Sequence, residues 1–168
     1  TFGSFDFTGT PYYPNQSSQL SCQSEDQLNN VWAVNPDNHS ITVINTELDS
    51  EYVLSSTNET SVFANYKTPT SITALNGFYA VTFRDDDRVV FYDATTLKPA
   101  MSFDTGYGTQ PISSVADDTQ NVLYVSLYGS GDLIKLDVSQ LSSRLISEVS
   151  RLAVGTKPKA MTLVGDRL

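Results

Sequence analysis

One phrase is written three times in this chain, and it limits what the chain can fold into more than any other feature. Val31–Asn45 reads VWAVNPDNHSITVIN, Phe78–Asp93 reads FYAVTFRDDDRVVFYD and Leu123–Asp137 reads LYVSLYGSGDLIKLD. Each copy is an apolar run around an aromatic, a polar turn, and a second run closing on Asn or Asp. Alternation in Thr42–Ile44 and Ile134–Leu136 has the period of a strand with two unlike faces. Aligned on the aromatics, Trp32 to Tyr79 is 47 residues and Tyr79 to Tyr124 is 45. A step of about 40–50 residues is the length of one four-stranded blade of a β-propeller.

A second mark precedes the second and third aromatic strands and opens a further copy; the first blade lacks it, since Ser17–Gln27 holds no proline. KTPTSITAL (Lys67–Leu75), GTQPISSVA (Gly108–Ala116) and GTKPKAMTLV (Gly155–Val164) each place a proline ahead of a short run of small and apolar residues. Proline lacks an amide hydrogen, so Pro69, Pro111 and Pro158 belong at the start of a strand. One period then reads as inner strand, turn (Asn76-Gly77, Asp117-Asp118), aromatic strand, polar hairpin, Asp-ended strand, loop and outer strand. The outer strands are predicted at Glu51–Leu54, Pro99–Phe103 and Glu148–Val154, with a helical turn inside Val138–Ser147. The expected fold is all-β, made of blades of four antiparallel strands. The blades divide as Ser17–Tyr66, Lys67–Gly108 and Thr109–Gly155, with Thr156–Leu168 opening another and Thr1–Gln16 an extended lead-in. Propellers close with about 4–8 blades, so three periods predict an incomplete arc of a larger ring.

Composition narrows the function. Ten basic against 19 acidic residues give a net charge of −9, with no basic stripe to meet a phosphate backbone, so nucleic acid is an unfavoured partner. No apolar run approaches the length needed to span a membrane. The single cysteine, Cys22, cannot form a disulfide within these residues and reads as a small core residue. No cofactor fingerprint or metal-ligand spacing is present, and no cofactor is expected.

The strand pair VWAVN…ITVIN with its proline-marked inner strand resembles the YVTN repeat of bacterial and archaeal surface-associated propellers. Trp32-Ala33-Val34-Asn35 fits that pattern best; Tyr79-Ala80-Val81-Thr82 and Tyr124-Val125-Ser126-Leu127 are looser. The resemblance covers roughly Ser17 to Leu168. It implies a propeller of seven or a similar number of blades, related to lactonase-like and quinoprotein-like folds. It does not imply their catalysis.

Blade geometry predicts that the hairpins Asn35–Ser40, Phe83–Arg88 and Tyr128–Asp132 share one rim with the inter-blade segments Tyr66–Thr68, Tyr107–Gln110 and Thr156–Lys159. Binding residues concentrate on loops held by a rigid scaffold. The binding candidates on this rim are therefore Asp37, His39, Arg84, Asp85, Asp86, Asp87 and Tyr128. Three adjacent carboxylates could offer oxygens to calcium, but they lack EF-hand spacing and read more readily as a solvated turn. His39, the only histidine, has no nucleophile elbow to serve. Trp32, Tyr79 and Tyr124 are expected at equivalent places between blades. Sequons at Asn15, Asn38 and Asn58 would carry glycans in a glycosylating host.

These features favour a non-catalytic scaffold or interaction module of a secreted, periplasmic or cell-surface protein, whose partners are other chains or remaining blades. The alternatives are a lactonase-like or quinoprotein-like enzyme whose site is completed by further blades, and a subunit of an extracellular filament or surface layer.

Overall fold

The computed structural model describes residues 20–22, 30–45, 50–55 and 66–164. The lead-in, Asn15 and Asn58 lie outside them. Among these described residues, twelve strands form three antiparallel sheets of four. The first holds β1 (Leu20–Cys22), β2 (Asn30–Asn35), β3 (Ser40–Asn45) and β4 (Ser50–Ser55). The second holds β5 (Pro69–Leu75), β6 (Phe78–Phe83), β7 (Arg88–Asp93) and β8 (Pro99–Asp104). The third holds β9 (Pro111–Asp117), β10 (Val122–Leu127), β11 (Asp132–Asp137) and β12 (Ser147–Ala153). In every sheet, strands adjacent in sequence are adjacent in space, the up-and-down order of a propeller blade. Among the described residues the only helices are single 3-10 turns at Pro36–Asn38, Arg84–Asp86 and Leu141–Ser143. The last falls inside the segment expected to hold a helical turn.

Pro69 and Pro111 open β5 and β9, where a missing N–H costs no ladder bond within a blade. These inner strands run side by side. They are joined by hydroxyls more than by apolar packing. Ser71 Oγ and Ser114 Oγ are 2.9 Å apart, Thr73 Oγ1 lies 2.7 Å from Ser114 Oγ, and Thr70 Oγ1 donates to the Pro111 carbonyl at 3.1 Å. Buried hydroxyls are tolerated when paired, and Ser71, Thr82 and Ser114 are all buried.

The apolar cores lie between sheets. The first contains Trp32, Val34, Ile41 and Val43 of the first blade against Ile72, Tyr79, Val81, Phe83, Val90 and Tyr92 of the second. The second sets Ala80, Val89, Phe91 and Met101 against Leu123, Val125, Leu127, Ile134 and Leu136 of the third. Successive side chains of a strand face opposite ways, so the middle blade contributes Tyr79, Val81 and Phe83 backward and Ala80 forward.

That alternation corrects the expected equivalence of Trp32, Tyr79 and Tyr124. Each hairpin spends four residues between strands, so counting back from the turn aligns Asn35, Phe83 and Leu127. Trp32 then matches Ala80 and Tyr124, while Tyr79 matches Val31 and Leu123. A one-residue slip moves a side chain to the other face. Tyr79 therefore points back at the first blade and stacks on Trp32, with ring centroids 4.2 Å apart and planes 23° apart. Tyr92 meets the indole edge-on at 6.0 Å. Tyr124 points forward, away from the core, is only half-buried, and has Lys135 Nζ 5.7 Å from its ring centre. Trp32 is fully buried, and its indole Nε1 has no hydrogen-bond partner among the described residues.

Candidate functional site

The three hairpins close in the same way. The fourth turn residue is His39, Asp87 or Gly131, with φ of 56°, 52° and 80°. Such left-handed backbone suits glycine and is tolerated by Asn, Asp and His. A side chain placed there reaches over the following inter-blade loop. Asp87 Oδ1 accepts the Gln110 amide at 2.8 Å, and Oδ2 accepts the Gly108 amide at 2.7 Å. One junction earlier, His39 Nδ1 accepts the Thr68 amide at 3.0 Å. Thr68 and Gln110 are matched positions, each directly before the proline that opens an inner strand. At the third turn Gly131 has no side chain; a Cβ there would stand 2.5 Å from the Gly155 carbonyl oxygen.

The held residues are themselves strained. Thr68, Gln110 and Lys157 precede prolines and have φ of 56°, 53° and 56°. For a β-branched residue such as Thr68 this is a true outlier, and it persists only where its surroundings over-determine it. Thr68 is fixed at three atoms. Its amide is bound by His39, its hydroxyl donates to Asp85 Oδ2 at 2.5 Å, and its carbonyl accepts the Arg84 amide at 3.0 Å. Gln110 repeats the backbone part, its carbonyl accepting the Tyr128 amide at 2.9 Å.

The sequence-predicted residues thus fall into two groups. His39, Arg84, Asp85 and Asp86 meet around the 66–68 loop. Arg84 Nε donates to Asp85 Oδ1 at 2.9 Å, and the Lys67 amide donates to Asp86 Oδ2. The Arg84 guanidinium beside Asp85 holds its carboxyl below the usual range against a smaller opposing effect of burial; the Thr68 hydroxyl acts the same way as Arg84. Asp87 and Tyr128 belong to the next junction, where Tyr128 also has Lys157 Nζ 5.8 Å from its ring centre. Asp37 is exposed on the first turn. The three carboxylates Asp85, Asp86 and Asp87 point to three different recipients. Among the described residues no group of His, Cys, Asp and Glu is placed to hold a metal ion.

Sequence reasoning missed one contributor and undervalued another. Gly129 occupies the turn position of Asp85, and a Cβ there would collide with the Gly108 carbonyl. Its own amide donates to the Thr109 carbonyl at 2.8 Å, a backbone tie to the inter-blade loop where Asp85 instead accepts the Thr68 hydroxyl. Tyr107, expected on this rim but not among the binding candidates, is the undervalued one. Its ring is fully exposed, yet its loop is tightly held. Asp104 Oδ1 accepts the Gly106 amide at 2.9 Å, Asp87 accepts the Gly108 amide, and the Thr105 and Thr109 hydroxyls are 2.6 Å apart. The Gly-Tyr-Gly sequence at 106–108 was the available signal.

The opposite ends of the strands carry aspartates with a local role. Asp93 Oδ1 accepts the Thr95 and Thr96 amides at 2.9 and 2.7 Å, and Asp117 Oδ1 accepts the Thr119 and Gln120 amides. Hydrogen bonds to the Thr96 amide, the Thr119 hydroxyl and the Ser139 hydroxyl hold Asp93, Asp117 and Asp137 respectively below the usual carboxyl range.

No known family's sequence model matches this chain, and no characterised protein matches it in sequence. Solved structures do match it in shape. The WD40 repeats of RRP9 superpose with a TM-score of 0.63 at 13% identity, covering 84% of this chain and 40% of that one. A chain of the mitotic checkpoint complex gives 0.57 at 14%, covering 94% of this chain and 49% of its own length. The dihydro-heme d1 dehydrogenase NirN gives 0.59 at 14%, covering 86% and 29%. This chain therefore spans less than half the length of each of these three structures. At such identities the likeness carries the fold alone, and the fold is that of successive β-propeller blades.

Proposed function

We propose that this propeller segment is a non-catalytic interaction module of a secreted, periplasmic or cell-surface protein, built from YVTN-type repeats. The observation that carries the reading is the fixed rim: Tyr107 stands fully exposed on a loop pinned by Asp87, Asp104, Thr105 and Thr109. A rigid exposed tyrosine loses little conformational freedom on binding, and tyrosine is over-represented among the residues that dominate protein interfaces. Asp37, Arg84, Asp85, Asp86 and Tyr128 are further contact candidates on the rim, with His39 and Asp87 holding its loops. The partners are other protein chains or further blades, with no nucleic acid; glycans at Asn15, Asn38 and Asn58 fit the same compartment. No helix among the described residues is long and apolar enough to cross a membrane.

Two assays test the reading on the full chain. Photo-crosslinking from position 107 against an extracellular protein fraction is expected to give discrete adducts that Tyr107→Ala weakens in competition. Assays for lactone hydrolysis and quinone-dependent oxidation are expected to be silent. Turnover lost in folded His39→Ala or Asp85→Ala variants would replace the module by the enzyme.

One observation favours the assembly-subunit reading as a second. All seven residues of β12, the outer strand of the third blade, are exposed, including Val149 and Leu152. An uncovered edge strand is a template for pairing with another chain. Concentration-dependent fibres abolished by Val149→Pro would favour it.

A further inference from the structure

The clasps at the two junctions accept the same amide with different chemistry. Asp87 Oδ1 takes the Gln110 N–H and His39 Nδ1 takes the Thr68 N–H, both one bond beyond Cγ and both from left-handed turn residues. A carboxylate keeps its lone pairs throughout the neutral and mildly acid range. An imidazole nitrogen accepts only while it is unprotonated, and histidine is the side chain whose charge ordinarily changes between about pH 5 and 8. The bond in the structure requires the tautomer with its proton on Nε2.

We propose that His39 makes the first inter-blade clasp proton-sensitive: a solvent proton taken up at Nδ1 consumes the lone pair that holds Thr68, while the Asp87 clasp stays closed.

The surroundings give the released ring somewhere to go. The charged groups on the segments that meet there are Asp37 on its own hairpin, Lys67 on the loop, and Arg84, Asp85 and Asp86 on the next hairpin. Asp85 already takes the Thr68 hydroxyl, on the same residue whose amide His39 holds. A protonated ring turns from acceptor to donor, and Asp85 is the acceptor at hand. Thr68, held at φ of 56° by its bonded neighbours, then loses the one bond made by its amide. The Arg84, Asp85 and Asp86 portion of the rim would thus be arranged differently in acid, whatever partner it meets.

The test is amide NMR on the full chain from pH 8 to 5. The Thr68 amide shift is expected to move in step with the His39 ring signal, and its exchange protection to fall roughly fivefold to tenfold, the worth of one net hydrogen bond. Gln110 is the internal control and is expected to hold steady. His39→Asn keeps a δ-oxygen acceptor and tolerates left-handed backbone; it is expected to retain Thr68 protection and abolish the pH response. A Thr68 amide that stays flat while the ring titrates overturns the proposal. So does a pH response that survives in His39→Asn. The native titration decides the matter even if the variant folds poorly.

Discussion

The junction between the first and second blades is aromatic, and the junction between the second and third is mostly aliphatic. Trp32 stacks on Tyr79 in the first. In the second, Leu123, Val125, Leu127, Ile134 and Leu136 pack on Phe91, Val89 and Ala80. The backbone framework nevertheless repeats at both: a left-handed turn residue, a clasped amide, a left-handed residue and a proline. Geometry is thus set by backbone bonds at the rim, and the side chains that fill the gap are free to change size and type. A repeat protein needs this, because each blade touches only its neighbours.

The largest expected effect breaks the aromatic junction. Trp32→Ala removes the stack and the edge contact with Tyr92 together, and should cost about 3–5 kcal/mol, as for a core aromatic truncated to a cavity. Trp32→Phe should cost clearly less. It keeps a ring against Tyr79 and discards an indole N–H that has no partner among the described residues. Chemical denaturation of both variants checks the order; equal losses would mean that the indole nitrogen is satisfied after all.

The next effect breaks a clasp. Asp87→Ala leaves the Gly108 and Gln110 amides without their acceptor and frees the Tyr107 loop. A loss of about 2–3 kcal/mol is expected from two charge-assisted bonds at a half-buried site. Asp87→Asn should recover part of it. Hydrogen exchange at Gly108 and Gln110, faster in Asp87→Ala than elsewhere in the chain, would locate the damage at this junction.

The strand order, the three hairpins and the inner strands led by Pro69 and Pro111 were legible in the sequence because they depend on local periodicity and turn chemistry; the strand expected after Pro158 is, among the described residues, only an isolated bridge at Val164. The register between copies was not. The eye aligns Trp32 with Tyr79 because both are aromatic, whereas the hairpin aligns Trp32 with Ala80. An aromatic at the backward-facing position of one blade and the forward-facing position of its neighbour look alike in a linear string and meet face to face in the fold. The rim loops were predicted on a shared face, but the work of His39 and Asp87 was not, since each bonds an amide over 20 residues away. Both halves of the clasp were visible, the acidic or His turn and the Thr/Gln-Pro step. What linked them was tertiary geometry.

The smallest expected effect concerns the turns that end β7, β9 and β11. Asp93, Asp117 and Asp137 have folded-state pKa values held below their unfolded ones by hydrogen bonds to the ionised form. For such groups the stabilisation is fully present above the unfolded pKa, near pH 4. It is lost as pH falls through the lower folded value, because the unfolded chain then binds the more protons. Stability should therefore fall with acid below about pH 4 by this route, separately from any change at His39 in the neutral range. Asp117→Asn keeps an oxygen acceptor for the Thr119 and Gln120 amides but removes the charge. It should leave the fold intact and flatten the acid limb of a stability–pH curve, with little change at pH 7. An acid limb as steep as in the native chain would mean that Asp117 ionises alike in the folded and unfolded states, and that other carboxylates, Asp93 and Asp137 among them, carry the acid response.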